Sequence, residues 1–305
     1  RKERTGNLDE VQIGDIVKFK AQFSALENRK STILKALEEQ EVLTAELKQK
    51  IEATTDLTTL EDIYLPYKKK RNTKAETARK NGLEPLAKIM MSQRATDIES
   101  IALKYLNNEV ETEEAALEGA RFIIAEWINE RTDVRNSIRY QLDKFATIAS
   151  KVVKAAESDE KAQKYKDYFE WSESLNRCPS HRLLAILRAE KEGFIRVKVE
   201  IDNERAISKI EDRIINSNNS CSKQIKLAIQ DAYKRLLFPA LSNEILNTSK
   251  EKADEKAIEV FAKNLKQLLL GAPLGEKNIL AIDPGFRSGC KVVCLNAQGG
   301  LAYNE

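Results

Sequence analysis

From residue 14 to residue 270 the apolar residues of this chain recur at intervals of three and four, with one interruption of strict alternation. The first periodicity keeps one helical face apolar; the second belongs to a strand with one face in water. In residues 14–40, Phe19, Phe23, Leu26, Ile33, Leu34 and Leu37 share a helical face. In 112–129, Ala116, Ala120, Ile123, Ile124 and Trp127 do the same. Over 249–270, Ala253, Ala257, Val260, Phe261, Leu265, Leu268 and Leu269 form the cleanest stripe, which the pattern assigns to a core or to a seat for an adjoining domain. Only 11 Gly and 6 Pro occur in 305 residues, so turns are few and helices long.

Helix boundaries follow from capping chemistry. Thr44 reads as an N-cap, and Thr58/Glu61, Thr73/Glu76 and Thr96/Glu99 read as capping boxes. Asp133 and Ser180 read as further caps, Pro66 as a stop and Gly82 as the residue after a helix end. Thr73 to Leu86 then has the outline of a short helix-turn-helix. The charged stretch 154–167 reads as a solvated helix or a mobile connection. After Gly193, "FIRVKVEID" sets Ile195, Val197, Val199 and Ile201 against Arg196, Lys198 and Glu200, which predicts a half-exposed strand. "NILAIDPGFRSGCKVV", 278–293, reads as a strand, a turn at Pro284–Gly285 and a second strand. The chain is thus mainly α until about residue 275 and strand-rich afterwards.

Net charge is +3, from 51 basic and 48 acidic residues, so any basic surface must arise by local clustering. One cluster stands out. "YLPYKKKRNTKAE" gathers Lys68, Lys69, Lys70, Arg71 and Lys74 beside Tyr64 and Tyr67, on a connection after Pro66. Such a loop positions a phosphate backbone by charge; the alternative is a solvated charge run with packed tyrosines. Arg121, Glu126, Arg135 and Arg139 are spaced for ion pairs along or between helices, solvated pairing being the ordinary form.

Asp283 ends an apolar run, as a metal-binding carboxylate would in a sheet enzyme. Phosphodiester hydrolysis needs two hard cations held by several carboxylates, and Arg287 stands nearby to compete with a metal. The other reading has Asp283 capping its turn. His181 is the only histidine; its spacing from Cys178 does not build a Cys–His nucleophile pair. The four cysteines form no CxxC and read as reduced thiols of a cytoplasmic protein. No phosphate-cradling glycine motif, signal peptide or membrane-length apolar run is present. The chain starts without Met, so its natural N-terminus is expected upstream.

Taken in order, "RKERTGNLDE", "LEDIYLPYKKKRNTKAETARKNGLEPLA", "GARFIIAEWI", "PSHRLLAILRAEKEG", "DAYKRLLFPAL", "ADEKAIEVFAKNLKQLLLGAPLG" and "LAIDPGFRSGCKV" resemble the Tex family of bacterial transcription accessory proteins. The resemblance covers nearly the whole chain. It implies a multi-helical region with helix-turn-helix-like elements, followed by the first strands of an α/β ribonuclease-H-like domain of the YqgF type. The implied domains are a Tex-like helical region at 1–178, a second helical region at 179–275 with one isolated strand near 194–202, and the start of the ribonuclease-H-like domain at 276–305. It also implies binding of nucleic acid, RNA ahead of DNA, through C-terminal modules outside this sequence, with the transcription machinery as a further partner. No cofactor and no membrane partner are expected. The functional expectation is a non-catalytic, nucleic-acid-binding scaffold. A metal-dependent nuclease using Asp283 and a pure protein-interaction scaffold are the alternatives.

Overall fold

A computed structural model describes residues 8–69, 72–285 and 289–305. They fall into two units, one reaching to Lys250 and one over Glu251–Glu305.

The first unit opens with α1, Glu10–Glu38. Asp9 caps it reciprocally with Gln12: the Gln12 N–H donates to Asp9 Oδ1 at 2.7 Å, and the Asp9 N–H to Gln12 Oε1 at 3.0 Å. The C-terminal half of α1 packs Leu26, Ile33 and Leu37 on Leu47 and Ile51 of α2 (Ala45–Ala53) and Leu60 of α3 (Leu57–Tyr64). Phe19 and Phe23, expected on the same buried face, are exposed.

Next come α4 (Lys74–Lys80), α5 (Glu84–Ser92), α6 (Ile98–Ala102), α7 (Glu113–Glu130) and α8 (Thr132–Phe145). Gly82, at φ 79°, closes α4. Its N–H donates to the Arg79 carbonyl at 3.0 Å and the Leu83 N–H to the Ala78 carbonyl at 3.1 Å, the paired bonds of a Schellman end. α7 is buried nearly all round, through Ala116, Leu117, Ala120, Ile123, Ile124 and Ile128. Gly119 lets the α4–α5 turn approach it, since a Cβ there would collide with Leu83.

Capping differs from expectation at four places. Asp56, not Thr58, caps α3, and Asp97, not Thr96, caps α6. A carboxylate takes the free amides in each case, two residues before Thr58 and one residue after Thr96. Asp133 lies inside α8 and pairs with Arg131 at 2.7 Å. Ser180 is the first helical residue after Pro179.

β1 (Thr147–Val152), β2 (Glu170–Ser174) and β3 (Ile195–Glu200) form an antiparallel sheet in the order β2-β1-β3. The alternating strand expected near 194–202 is therefore not isolated. It pairs with β1, which carries the five-residue β2 on its other side. The stretch 154–167, expected as a solvated helix or a connection, is a connection with 3-10 turns at Lys154–Ala156 and Gln163–Tyr168. α9 (Ser180–Lys191) packs beside β3. Ile148, Ser150 and Ile195 are buried, while Lys151, Glu170, Ser172, Arg196, Lys198 and Glu200 face water. Opposed residues put Glu170, Lys151 and Arg196 in one cross-strand row, and Ser172, Ala149 and Lys198 in the next.

α10 (Asn203–Ile214) and α11 (Ser220–Asp231) follow, then a π-helical turn, Ala232–Leu237, leading into α12, Phe238–Leu269. Buried Gln93, left-handed at φ 55°, locks the α10–α11 turn in place. Its Nε2 donates to the Ile214 carbonyl at 2.8 Å, and its Oε1 accepts the Asn216 N–H at 2.9 Å.

In the second unit, α12 continues to Leu269 and β4 (Ile279–Gly285), β5 (Gly289–Leu295) and β6 (Leu301–Asn304) form an antiparallel meander. Of the α12 stripe, assigned to a core or to a seat for an adjoining domain, Ala253 is buried and the rest is open, with Phe261 66% and Leu268 77% exposed. The architecture is mainly helical with two small antiparallel sheets.

Candidate nucleic-acid interface

The predicted basic loop is placed by two features of its flanks. Pro66 sits in the 3-10 turn Leu65–Tyr67, where its missing N–H ends the ladder of α3. Tyr64 and Tyr67 pack against the α1–α3 core, so they are packing residues and not a stacking platform. Arg29 braces this end, donating to Glu61 Oε2 at 3.0 Å with its guanidinium 5.7 Å from the Tyr64 ring centre.

Lys68 and Lys69 are exposed, and neither has an ion-pair partner among the described residues. Lys70 and Arg71 lie outside the described residues. Thr73 Oγ1 accepts the Glu76 N–H at 3.0 Å and opens α4. Lys74 sits differently from its neighbours in sequence: its Nζ lies 4.5 Å from the centre of the Phe122 ring on α7. Arg235, on the π-helical turn, reaches the same ring at 5.5 Å. The structure thus separates the predicted cluster. Lys68 and Lys69 point to water, and Lys74 is engaged with an aromatic face.

Many arginines of the helical body are committed elsewhere. Arg79 pairs with buried Glu126 at 2.5 Å. Arg121 pairs with Glu114 at 2.5 Å and donates to Gln224 at 2.6 Å. Arg135 Nε donates to Asp62 Oδ1 at 2.7 Å. Arg139 reaches the same carboxylate and also donates from Nε to Glu244 Oε1 at 2.6 Å. Burial acts to lower the Arg139 pKa, but the hydrogen bonds to Asp62 and Glu244 outweigh it and raise the pKa above its ordinary value. The Arg79, Arg135 and Arg139 pairs join different helices, the interhelical form of the expectation, while Arg121–Glu114 lies within α7 with Glu114 exposed.

Asp283 lies within β4, exposed, opposite Lys291 on β5. The strand runs through Pro284 to Gly285, so the turn expected at those two residues is not found there, and Arg287 lies outside the described residues. Among the described residues no three His, Cys, Asp or Glu side chains are grouped to hold a metal ion. Burial, with help from Glu173, pushes the Cys178 thiol up to about 11, which disfavours the thiolate a nucleophile needs. His181 is exposed on the first turn of α9. Among the described residues no helix is long and apolar enough to cross a membrane.

One basic surface escaped the sequence reading: the open face of the β2-β1-β3 sheet, where Lys151, Arg196 and Lys198 converge. The alternation around Arg196 and Lys198 was visible, but the strand that brings Lys151 beside them was not.

Residues 93–261 match the family model described as Tex central region-like. The chain is 40% identical over 303 residues to YdcI of Bacillus subtilis (strain 168), covering 98% of this chain and 42% of that protein. It is 38% identical over 307 residues to Transcriptional accessory protein Tex of Neisseria gonorrhoeae, covering 99% of this chain and 40% of that protein. It is 26% identical over 325 residues to human S1 RNA-binding domain-containing protein 1, covering all of this chain and 32% of that protein. The chain thus spans well under half the length of these relatives. With the family model matched over more than half of its residues, the chain belongs to the Tex family.

Proposed function

We propose that this chain is the helical part of a nucleic-acid-binding transcription accessory protein, and that it acts as a scaffold without chemistry of its own. The observation that carries the reading is the 38% identity, across 99% of the chain, to a relative named as a transcriptional accessory protein. The human relative's name points to RNA as the ligand. Buried interhelical pairs such as Arg135–Asp62 suit a body that holds other modules in a fixed arrangement. Exposed, unpaired Lys68 and Lys69 supply sequence-tolerant attraction for phosphate. In this reading α4 and α5 act as a helix-turn-helix-like element, and β4–β6 begin a ribonuclease-H-like domain. Asp283 then serves the hairpin, opposite Lys291, and holds no metal. The protein would work in the cytoplasm beside the transcription machinery.

The test is a titration of a labelled single-stranded RNA and a DNA duplex of the same sequence at two salt concentrations. Affinity that falls steeply with salt supports the proposal. No binding of either at low salt contradicts it.

A further inference from the structure

The open face of the first sheet forms a trough of about 950 Å³. Its floor is made by short side chains, Ala149 on β1 and Ser172 on β2, which stand opposite one another in register. Four cations line it, Lys151, Lys154, Arg196 and Lys198, against two carboxylates, Glu170 and Glu200. Lys151 lies directly across from Arg196, an arrangement of like charges that costs stability in a sheet. Among the described residues none of the four cations is held in an ion pair. On α9, beside the same sheet, the opposite holds: Arg182 pairs with Glu173 at 2.6 Å. Arg196 and Lys198 are two residues apart on one strand, so their side chains repeat at about 7 Å along the trough.

We propose that this trough binds a single-stranded nucleic acid along β1 and β3, its phosphates drawn to Lys151, Lys154, Arg196 and Lys198 and its bases laid toward the Ala149–Ser172 floor. The inference rests on the nucleic-acid reading given above and adds to it a second surface, separate in sequence from the Lys68–Lys69 loop. Three strands about 4.8 Å apart make a trough about 10 Å across. That admits one extended strand and is narrow for a duplex. Binding at the β3 edge is disfavoured, because the Val197 N–H there already donates to Glu190 Oε1 at 2.9 Å. The ligand is therefore directed to the face. With no aromatic ring among the residues lining the trough except Trp171, whose ring lies 5.9 Å from the Arg182 guanidinium of α9, attraction by charge dominates over stacking.

The test is titration of a labelled oligouridylate against the 305-residue chain, the triple variant Lys151→Gln/Arg196→Gln/Lys198→Gln, and the loop variant Lys68→Gln/Lys69→Gln. Each phosphate contact removed lowers the salt slope by about 0.7 for a single strand. The triple variant should thus lose about 2 units of slope. Across a fourfold rise in salt the unaltered chain should then lose about twentyfold more affinity than the variant does. Glu170→Gln, which removes an opposing charge without touching a cation, should tighten binding. It keeps the proposal testable if the triple variant fails to fold. If the unaltered chain binds and only the loop variant weakens, the trough is overturned while the proposed function stands. If the unaltered chain binds no RNA at low salt, the proposed function fails and the trough with it. If polyglutamate binds the chain more tightly than the oligouridylate and the triple variant abolishes only that, the trough takes an acidic peptide and the proposal is wrong.

Discussion

The guanidinium of Arg139 meets the carboxylate of Asp62 with two nitrogens, Nη2 donating to Oδ1 at 3.0 Å and Nη1 to Oδ2. Asp62 is only 3% exposed and also accepts from Arg135, while Arg139 holds Glu244 on its other side. Three helices, α3, α8 and α12, are joined at this one cluster. Removing Asp62 would leave two guanidinium groups in a partly buried site without their shared partner. Asp62→Ala should destabilise the fold by about 3–5 kcal/mol in urea unfolding. A loss below about 1 kcal/mol, the range of surface pairs, would show that the cluster does not hold the helices together.

Gln93 joins two distant segments of the chain through its side-chain amide. Gln93→Ala leaves the backbone conformation open to the same kind of residue but abandons the Ile214 carbonyl and the Asn216 N–H. The expected cost is about 2–3 kcal/mol. An unchanged urea midpoint would mean that water replaces the amide without penalty.

Lys74 and Lys68 should behave differently although both belong to one basic run. Replacing Lys68 and Lys69 by Gln should lower the salt slope for duplex DNA by nearly 2 and leave the melting temperature unchanged. Lys74→Gln should mainly lose the attraction to the Phe122 ring, about 0.5–1 kcal/mol of stability. Equal effects of both changes on binding would contradict the separation the structure makes.

Asp56 sets part of the acid limb of stability. Burial works to raise its pKa, but hydrogen bonds from the Thr59 amide and hydroxyl, with the charge of Arg139, hold it below the usual carboxylate value. A depressed folded pKa stabilises fully above the unfolded value of about 3.9, and that share is lost as pH falls through the folded pKa. Asn caps a helix about as well as Asp. Asp56→Asn should therefore melt lower than the unaltered chain at neutral pH, and the gap should close as pH falls through the lowered Asp56 pKa. A gap independent of pH would show that the charge contributes nothing.

The helices were legible because their signal is local. Ile123, Ile124 and Ala120 mark a buried face by spacing alone, and α7 forms within a residue of where that spacing puts it. Caps were less legible, since Asp56 and Asp97 compete with the nearby Thr58 and Thr96 for the same amides and spacing does not rank them. The first sheet was legible only at β3. β2 is five residues long with two serines, and its pairing with β1 depends on contacts distant in sequence. For the same reason the trough was hidden: Lys151 and Arg196 are neighbours only after the strands pair. The basic loop was visible as a charge run, but nothing in its sequence separated Lys74, which needs Phe122 on another helix, from Lys68 and Lys69.

The most direct test of the central claim, that this molecule holds nucleic acid and does not cut it, is a salt series with a labelled single-stranded RNA in magnesium-containing buffer, followed by electrophoresis of the recovered RNA. The account predicts a straight-line fall of log affinity with log salt and RNA of unchanged length. Absence of binding at the lowest salt, or RNA shortened by the chain but left whole by Asp283→Asn, would contradict it.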